Sequence, residues 1–174
     1  PTTVEISSGH KLIGAAGAMG VTGSVVQVVQ NTDGTSSTTT STSYVNTPLN
    51  VTITPTSASS KIHLSFNFAH GFMAQNGHGF MTIYRDSTNL NPATAGGTND
   101  GFFLVGNSGP DAPYQYITRY VNFQYLDSPN TTSAVTYHLA MKMSGSGTFY
   151  YNINRNGDNN SGGAGIAIAT EIAG

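Results

Sequence analysis

The chain has 174 residues, six Lys and Arg against eight Asp and Glu, a formal net charge of −2 and no Cys. Only 8% of its residues are charged, against about 25% in an average soluble domain. The cations stand singly, at Lys11, Lys61, Arg85, Arg119, Lys142 and Arg155. That spacing argues against a nucleic-acid partner, which needs clustered positive charge. A chain without Cys has no disulfide scaffold, thiol nucleophile or Cys-ligated metal. No apolar run approaches the roughly 20 residues of a membrane helix, so no membrane insertion is expected.

Residues 1–23 open the chain without a basic start followed by an apolar stretch, so they do not read as a signal peptide. Pro1 is the residue left when an initiator Met is trimmed, which predicts a complete chain made in a cytoplasm. Val4 and Ile6 hint at a short strand, and Gly14 to Gly23 is rich in Gly and Ala with no clear period. The segment reads as an extended arm ending in a flexible joint. Such an arm cannot stabilise itself. If ordered, it must lie on a neighbour, with Val4, Ile6, Leu12 and Ile13 as the anchoring residues; the alternative is a frayed terminus.

Residues 24–174 read as one all-β domain. Helix formers are sparse, and Thr, Val, Ile, Tyr and Phe dominate the patterned segments. Val25 to Val29 is strand-like, and the Ser/Thr run from Thr35 to Ser43 fits an exposed edge strand or a long hairpin. Leu49, Val51 and Ile53 alternate with polar residues. So do Ile62, Leu64, Phe66 and Phe68, and, further on, Val121, Phe123 and Tyr125. Val135, Tyr137, Leu139, Met141 and Met143 form the longest stripe, and Ile166, Ile168 and Ile172 the last. Turn signals fall between, at Thr54-Pro55, Asn76-Gly77, Asn91-Pro92, Ser108-Gly109-Pro110, Ser128-Pro129-Asn130 and Asn156-Gly157-Asp158. Gly71 to Gly77 is expected to be a loop flanked by His70 and His78. Eight to ten strands at this spacing predict an antiparallel β-sandwich or barrel, with a jelly roll as the expected form.

Motifs for chemistry are weak. Gly106-Asn107-Ser108-Gly109-Pro110 has a passing likeness to the nucleophile segment of chymotrypsin-type proteases. It lacks that segment's Asp and one Gly, and no base is in evidence. A pair of carboxylates converging as in a glycosidase is not excluded by sequence, but most of the eight lie in turns and there is no Trp platform. Arg155 to Asn160 lacks the acidic ladder of a calcium loop. No enzymatic activity, cofactor or metal is expected. His63 and His138 fall on the outward phase of their strands, as does Tyr120; these three are candidate subunit-interface residues. Asn76, Asn99, Tyr114, Tyr116 and Asn156 lie in turn-like segments and are candidate ligand-loop residues for a glycan.

Three stretches carry a resemblance. Ser24-Val-Val-Gln-Val-Val-Gln30, the Ser/Thr run ending in Thr-Ser-Tyr-Val45, and Leu49-Asn-Val-Thr-Ile-Thr-Pro-Thr-Ser-Ala-Ser-Ser-Lys-Ile62 resemble a segment that recurs in tail-fibre-like and other virion proteins of bacteriophages, especially marine ones. The closing Ile166-Ala-Ile-Ala-Thr-Glu-Ile-Ala173 is similar to the last strand of that group. The resemblance covers residues 24–70 and 164–173 and carries no catalytic or binding residue with it. It implies a virion appendage module with a jelly-roll-like sandwich, often a trimer. The expectation is a homotrimeric outer-capsid decoration protein, held on the major capsid protein or another virion protein by its arm. The other function it allows is a small head or tail fibre that recognises a host-surface glycan.

Overall fold

A computed structural model describes residues 21–90, 103–105, 118–152 and 163–174, with backbone alone at 70–77, 103–105, 118, 119, 144 and 146. Val4, Ile6, Leu12, Ile13, Asn99, Tyr114, Tyr116 and Asn156 lie outside the described residues, as do the Ser108 and Arg155 segments. The described residues contain nine strands and no helix: β1 Val25–Asp33, β2 Ser37–Thr39, β3 Val45–Ile53, β4 Lys61–Arg85, β5 Thr88–Asn89, β6 Phe103–Val105, β7 Thr118–Asp127, β8 Val135–Tyr151 and β9 Gly165–Ile172. Every pairing between them is antiparallel.

The nine strands form one hydrogen-bonded sheet because β4 is long enough to serve two layers. Its first arm, residues 61–71, lies between β9 and β7. Its second arm, to Arg85, lies between β8 and the short β6 and β5. With β4 counted as two arms, the strands fall into two rows. The first runs β1-β9-β4-β7, and the second runs β3-β8-β4-β6 with β2 beside β3 on β8. This is the strand order of a jelly roll, in which two Greek keys fold onto each other.

A phase change makes the shared strand work. Ile62, Leu64, Phe66 and Phe68 point inward at even positions, whereas Met81 and Ile83 point inward at odd ones. The register against β8 slips by one residue between Met73 and Asn76. One extra residue on one strand is a β-bulge, and it flips every later side chain to the other face. β8 buries its odd residues from Val135 to Met143 and again at Phe149 and Tyr151. Between them Gly145 and Gly147 take φ of 89° and 137°, conformations that cost little only for glycine. The expected loop from Gly71 to Gly77 is therefore corrected. Its Gly and Asn residues build a bulge inside a continuous strand rather than a turn, because both flanks remain paired to β8.

The core lies between the rows. β3 gives Leu49, Val51 and Ile53, β4 gives Phe66, Phe68 and Met81, and β8 gives Tyr137, Leu139 and Phe149. Each such side chain contributes roughly 1.5–3 kcal/mol by leaving water. The last stripe is also corrected. On β9 the buried residues are Gly165, Ala167, Ala169 and Glu171, while Ile166, Ile168 and Ile172 face away half-exposed. Small residues are needed there because β9 faces the large side chains of β3 and β8 across the sandwich. A Cβ on Gly165 would collide with the Tyr151 hydroxyl and come within 3.1 Å of Leu49 Cδ2. The Ser/Thr run contributes a three-residue edge strand whose last residue, Thr39, is buried.

Tyr151 is fully buried, and its hydroxyl has no hydrogen-bond partner. Burial, and then the nearby Asp33, hold that phenol well above the ordinary range. Gly165→Ala is expected to destabilise by about 1–3 kcal/mol through overpacking. Tyr151→Phe should be neutral or stabilising by up to about 1 kcal/mol, because it removes an unpaired polar atom. Placed together, the two should cost less than their sum. Urea unfolding of the four proteins checks this coupling.

Candidate functional site

Two buried polar clusters tie the layers together at one end. Arg85, the last residue of β4, donates through Nη1 to both carboxylate oxygens of Asp127, at 3.0 and 2.9 Å. Tyr137 on β8 donates its hydroxyl to Asp127 Oδ2 at 2.8 Å. Asp127 ends β7, so the cluster bridges both rows. Burial, and then the bond to Asp127, push the Tyr137 phenol far above its usual range. Tyr137 is fully covered, and its bond to Asp127 fastens β8 to β7.

The second cluster surrounds Glu171, whose side chain is fully covered. Its Oε1 accepts from the Thr56 amide and hydroxyl, both at 2.7 Å, and its Oε2 accepts from Gln27 Nε2 at 2.6 Å. Burial alone would raise this carboxyl, but the bonds from Gln27 and Thr56 outweigh it and hold it below the usual value. The carboxylate thereby pins loop 54–60 to β9 and β1. Among the described residues no group of three or more His, Asp or Glu is placed to hold a metal.

The surface most unlike an ordinary solvent face is the outer side of the β1-β9-β4-β7 row. The register lays out its cross-strand lines. Val28, Thr170, His63 and Leu126 form one; Gln30, Ile168, Ser65 and Gln124 the next; Thr32, Ile166, Asn67 and Asn122 the third. The only formal charge on these four strands' described outward positions is Lys61, at the row's end beside Ile172 and Val25. Val25, Val28, Leu126 and Tyr120 are 61%, 60%, 48% and 70% exposed. On this face Val25, Val28, Ile166, Ile168, Ile172 and Leu126 alternate with uncharged polar residues, so it is apolar in part and nearly free of charge.

The expected interface residues divide between faces. His63 and Tyr120 share this outer side, His63 in its middle and Tyr120 at the corner beside Gly163. His138 is on the outer side of the other row, in register with Asn50 and Tyr84. The three therefore do not form one patch. Asn76 sits within β4 opposite Ser146, not in a loop. Of the last apolar stripe, Ile166 and Ile168 lie at the centre of this outer face and Ile172 at its end, rather than in the core. The alternation with Ala was the available signal, because both phases are apolar from Ile166 to Ala169 and only packing chooses between them.

No family model and no curated protein sequence matches the chain. Among solved structures, it is similar to VP2 of infectious bursal disease virus. For a subviral particle the TM-score is 0.40 at 11% identity, over 84% of this chain and 37% of that one. For the D431N mutant in T=1 particles it is also 0.40 at 11% identity, over 99% and 44%. The chain thus spans less than half the length of those VP2 chains. Likeness at this level carries no functional argument, and the fold stands on its own hydrogen-bond register.

Because the fold favours ionised Glu171, that stability is fully present above the unfolded carboxyl value of 4.5 and is lost as pH falls below it. Glu171→Gln is expected to cost about 1–3 kcal/mol at pH 7, by weakening a charge-assisted network. It should also flatten the fall in stability between about pH 5 and pH 3. Thermal unfolding across that range is the measurement.

Proposed function

We propose that this chain is a non-enzymatic structural component of a bacteriophage particle, a homotrimer that decorates the outside of the shell. The observation that carries the reading is the outer face of the β1-β9-β4-β7 row, whose one formal charge among the described positions is Lys61 at its end. A face with exposed Val28 and Leu126 beside half-exposed isoleucines is a poor solvent surface and a good contact surface. The likeness of residues 24–70 and 164–173 to phage virion proteins supplies the setting. Copies associate through the face that holds His63 and Tyr120. The arm, through Val4, Ile6, Leu12 and Ile13, reaches the major capsid protein or another virion protein. Three arms on one trimer raise the effective concentration of each contact, so weak arms hold firmly.

The interior described above serves stability, not chemistry. Its two buried carboxylates, Asp127 and Glu171, are each fully engaged by donors. This fits a module that presents surfaces to other proteins.

Ile168→Lys places a cation at the centre of the face while leaving the core intact. It should abolish the trimer and change the unfolding free energy of the separated chain by no more than about 1 kcal/mol. Light scattering coupled to size exclusion reads the mass, and an unchanged oligomer would remove this face from the account. Quantitative mass spectrometry of purified particles should find the chain in numbers comparable to the shell protein. A small multiple set by a single tail would instead indicate a fibre or tip, and would turn attention to a host glycan.

A further inference from the structure

Among the described residues the β1-β9-β4-β7 row has two edges without a further strand paired to them: β1 pairs only with β9, and β7 pairs only with β4. Edge strands are ordinarily blunted by Lys, Pro, bulges or inward charges. β7 runs ten residues in unbroken register with β4; it contains no Pro or Lys, and its two charges, Arg119 and the inward Asp127, lie near its ends. β1 has no Pro, Lys or Arg, and its one irregularity lies at its start, between Val25 and Gln27. The two edges are nearly equal in length, at nine and ten residues.

The core is also unfinished at these edges. The partly buried hydrophobics packed against it are Val29, Val121, Phe123 and Tyr125, and all four lie on β1 or β7. A strand added to either edge would cover them.

We propose that β1 of each copy pairs with β7 of the next, closing three rows into a triangular prism whose interior is filled by their outer faces. The inference rests on the self-association read above and specifies its geometry. Direction permits it. The row alternates strictly over four strands, so copies pointing the same way about an axis bring β7 of one beside β1 of the next antiparallel. Head-to-tail contact of this kind satisfies both edges with one junction, whereas a two-fold contact leaves one edge type bare.

The dimensions select three copies. Four strands at about 4.8 Å make a side of roughly 19 Å. A triangle of that side has its centre about 5.5 Å from each face, close to half the ~10 Å at which packed sheets interdigitate. A square of the same sides puts the centre nearly 10 Å away and leaves a channel. The chemistry of the face agrees. Ile166, Ile168, Thr170, His63, Ser65 and Asn67 lie mid-row and face the interior, Gln30 and Gln124 sit at the junction with amides to share, and Lys61 lies at the row's end, where the prism opens to water.

The native chain has no Cys, so introduced thiols report the junction without background. Gln30→Cys on β1 is combined in turn with Asn122→Cys, Gln124→Cys and Leu126→Cys on β7. All four positions are exposed in the single chain. Steps of two residues sample the registers that bring Cα atoms within the roughly 4.4–6.8 Å a disulfide spans. The mass of the full, untreated chain is measured first. A monomer at micromolar concentration defeats the self-association reading itself. Given a trimer, at least one double variant should form covalent trimers on mild oxidation, and mixing its two parent single variants should give covalent dimers, while neither single variant alone cross-links above a few per cent. A single variant that cross-links to itself as well as the mixture does would show a two-fold edge and overturn the prism. So would a trimer in which no pair cross-links. As a check without substitutions, hydrogen exchange of the native protein should slow in β1 and β7 together, at least tenfold, as concentration rises through assembly. Slowing confined to one of the two strands would overturn the junction.

Discussion

The structure depends on one strand serving two layers. β4 is hydrogen-bonded to five of the other eight strands, β5, β6, β7, β8 and β9, and both rows of the sandwich are built outward from it. A strand of 25 residues cannot present one regular face to a closed core, because the core wraps around it. The one-residue slip between Met73 and Asn76 resolves this. It resets the phase so that Phe68 on one side and Met81 on the other both point into the same interior. Without the reset, the inward set of the second arm would become Phe80, Thr82 and Tyr84, and Met81 and Ile83 would face out.

The layers are then fastened by polar contacts placed where apolar packing gives out. Asp127 sits where β4, β7 and β8 end or begin together, and its carboxylate takes Arg85 from one element and Tyr137 from another. Glu171 does the same for loop 54–60, β9 and β1. Few charges remain in the chain, and these two are committed to the interior. What is left for the described outside of the first row is Val, Ile, Leu, Ala, Thr, Ser, Asn, Gln, His63, Tyr120 and a single Lys. The low overall charge thus leaves that outer face nearly free of charge.

Much of the fold was legible because alternation is a local property. Ile62 to Phe68, Leu49 to Ile53 and Val135 to Met143 each have one apolar phase and one polar phase, so their inner faces could be named directly. The failures have equally specific causes. From Ile166 to Ala169 both phases are apolar, and the choice between Ile outward and Ala inward rests on the bulk of Leu49 and Tyr151 across the sandwich. In Gly71 to Gly77 the residues that make turns are also the residues that make bulges, and pairing with β8 decides which. His63, Tyr120 and His138 share an outward phase, but phase does not say which of two outward faces a strand belongs to.

Sequence alone determined that this protein is all-β, antiparallel and low in charge, because composition and period-two spacing act residue by residue. The tertiary structure decided the jelly-roll strand order, the sharing of β4, the burial of Glu171 and the gathering of His63, Ile168 and Leu126 onto one open face. Those depend on which strands meet across more than a hundred residues of chain, as Gln27 meets Glu171, and such pairings leave no mark in local periodicity.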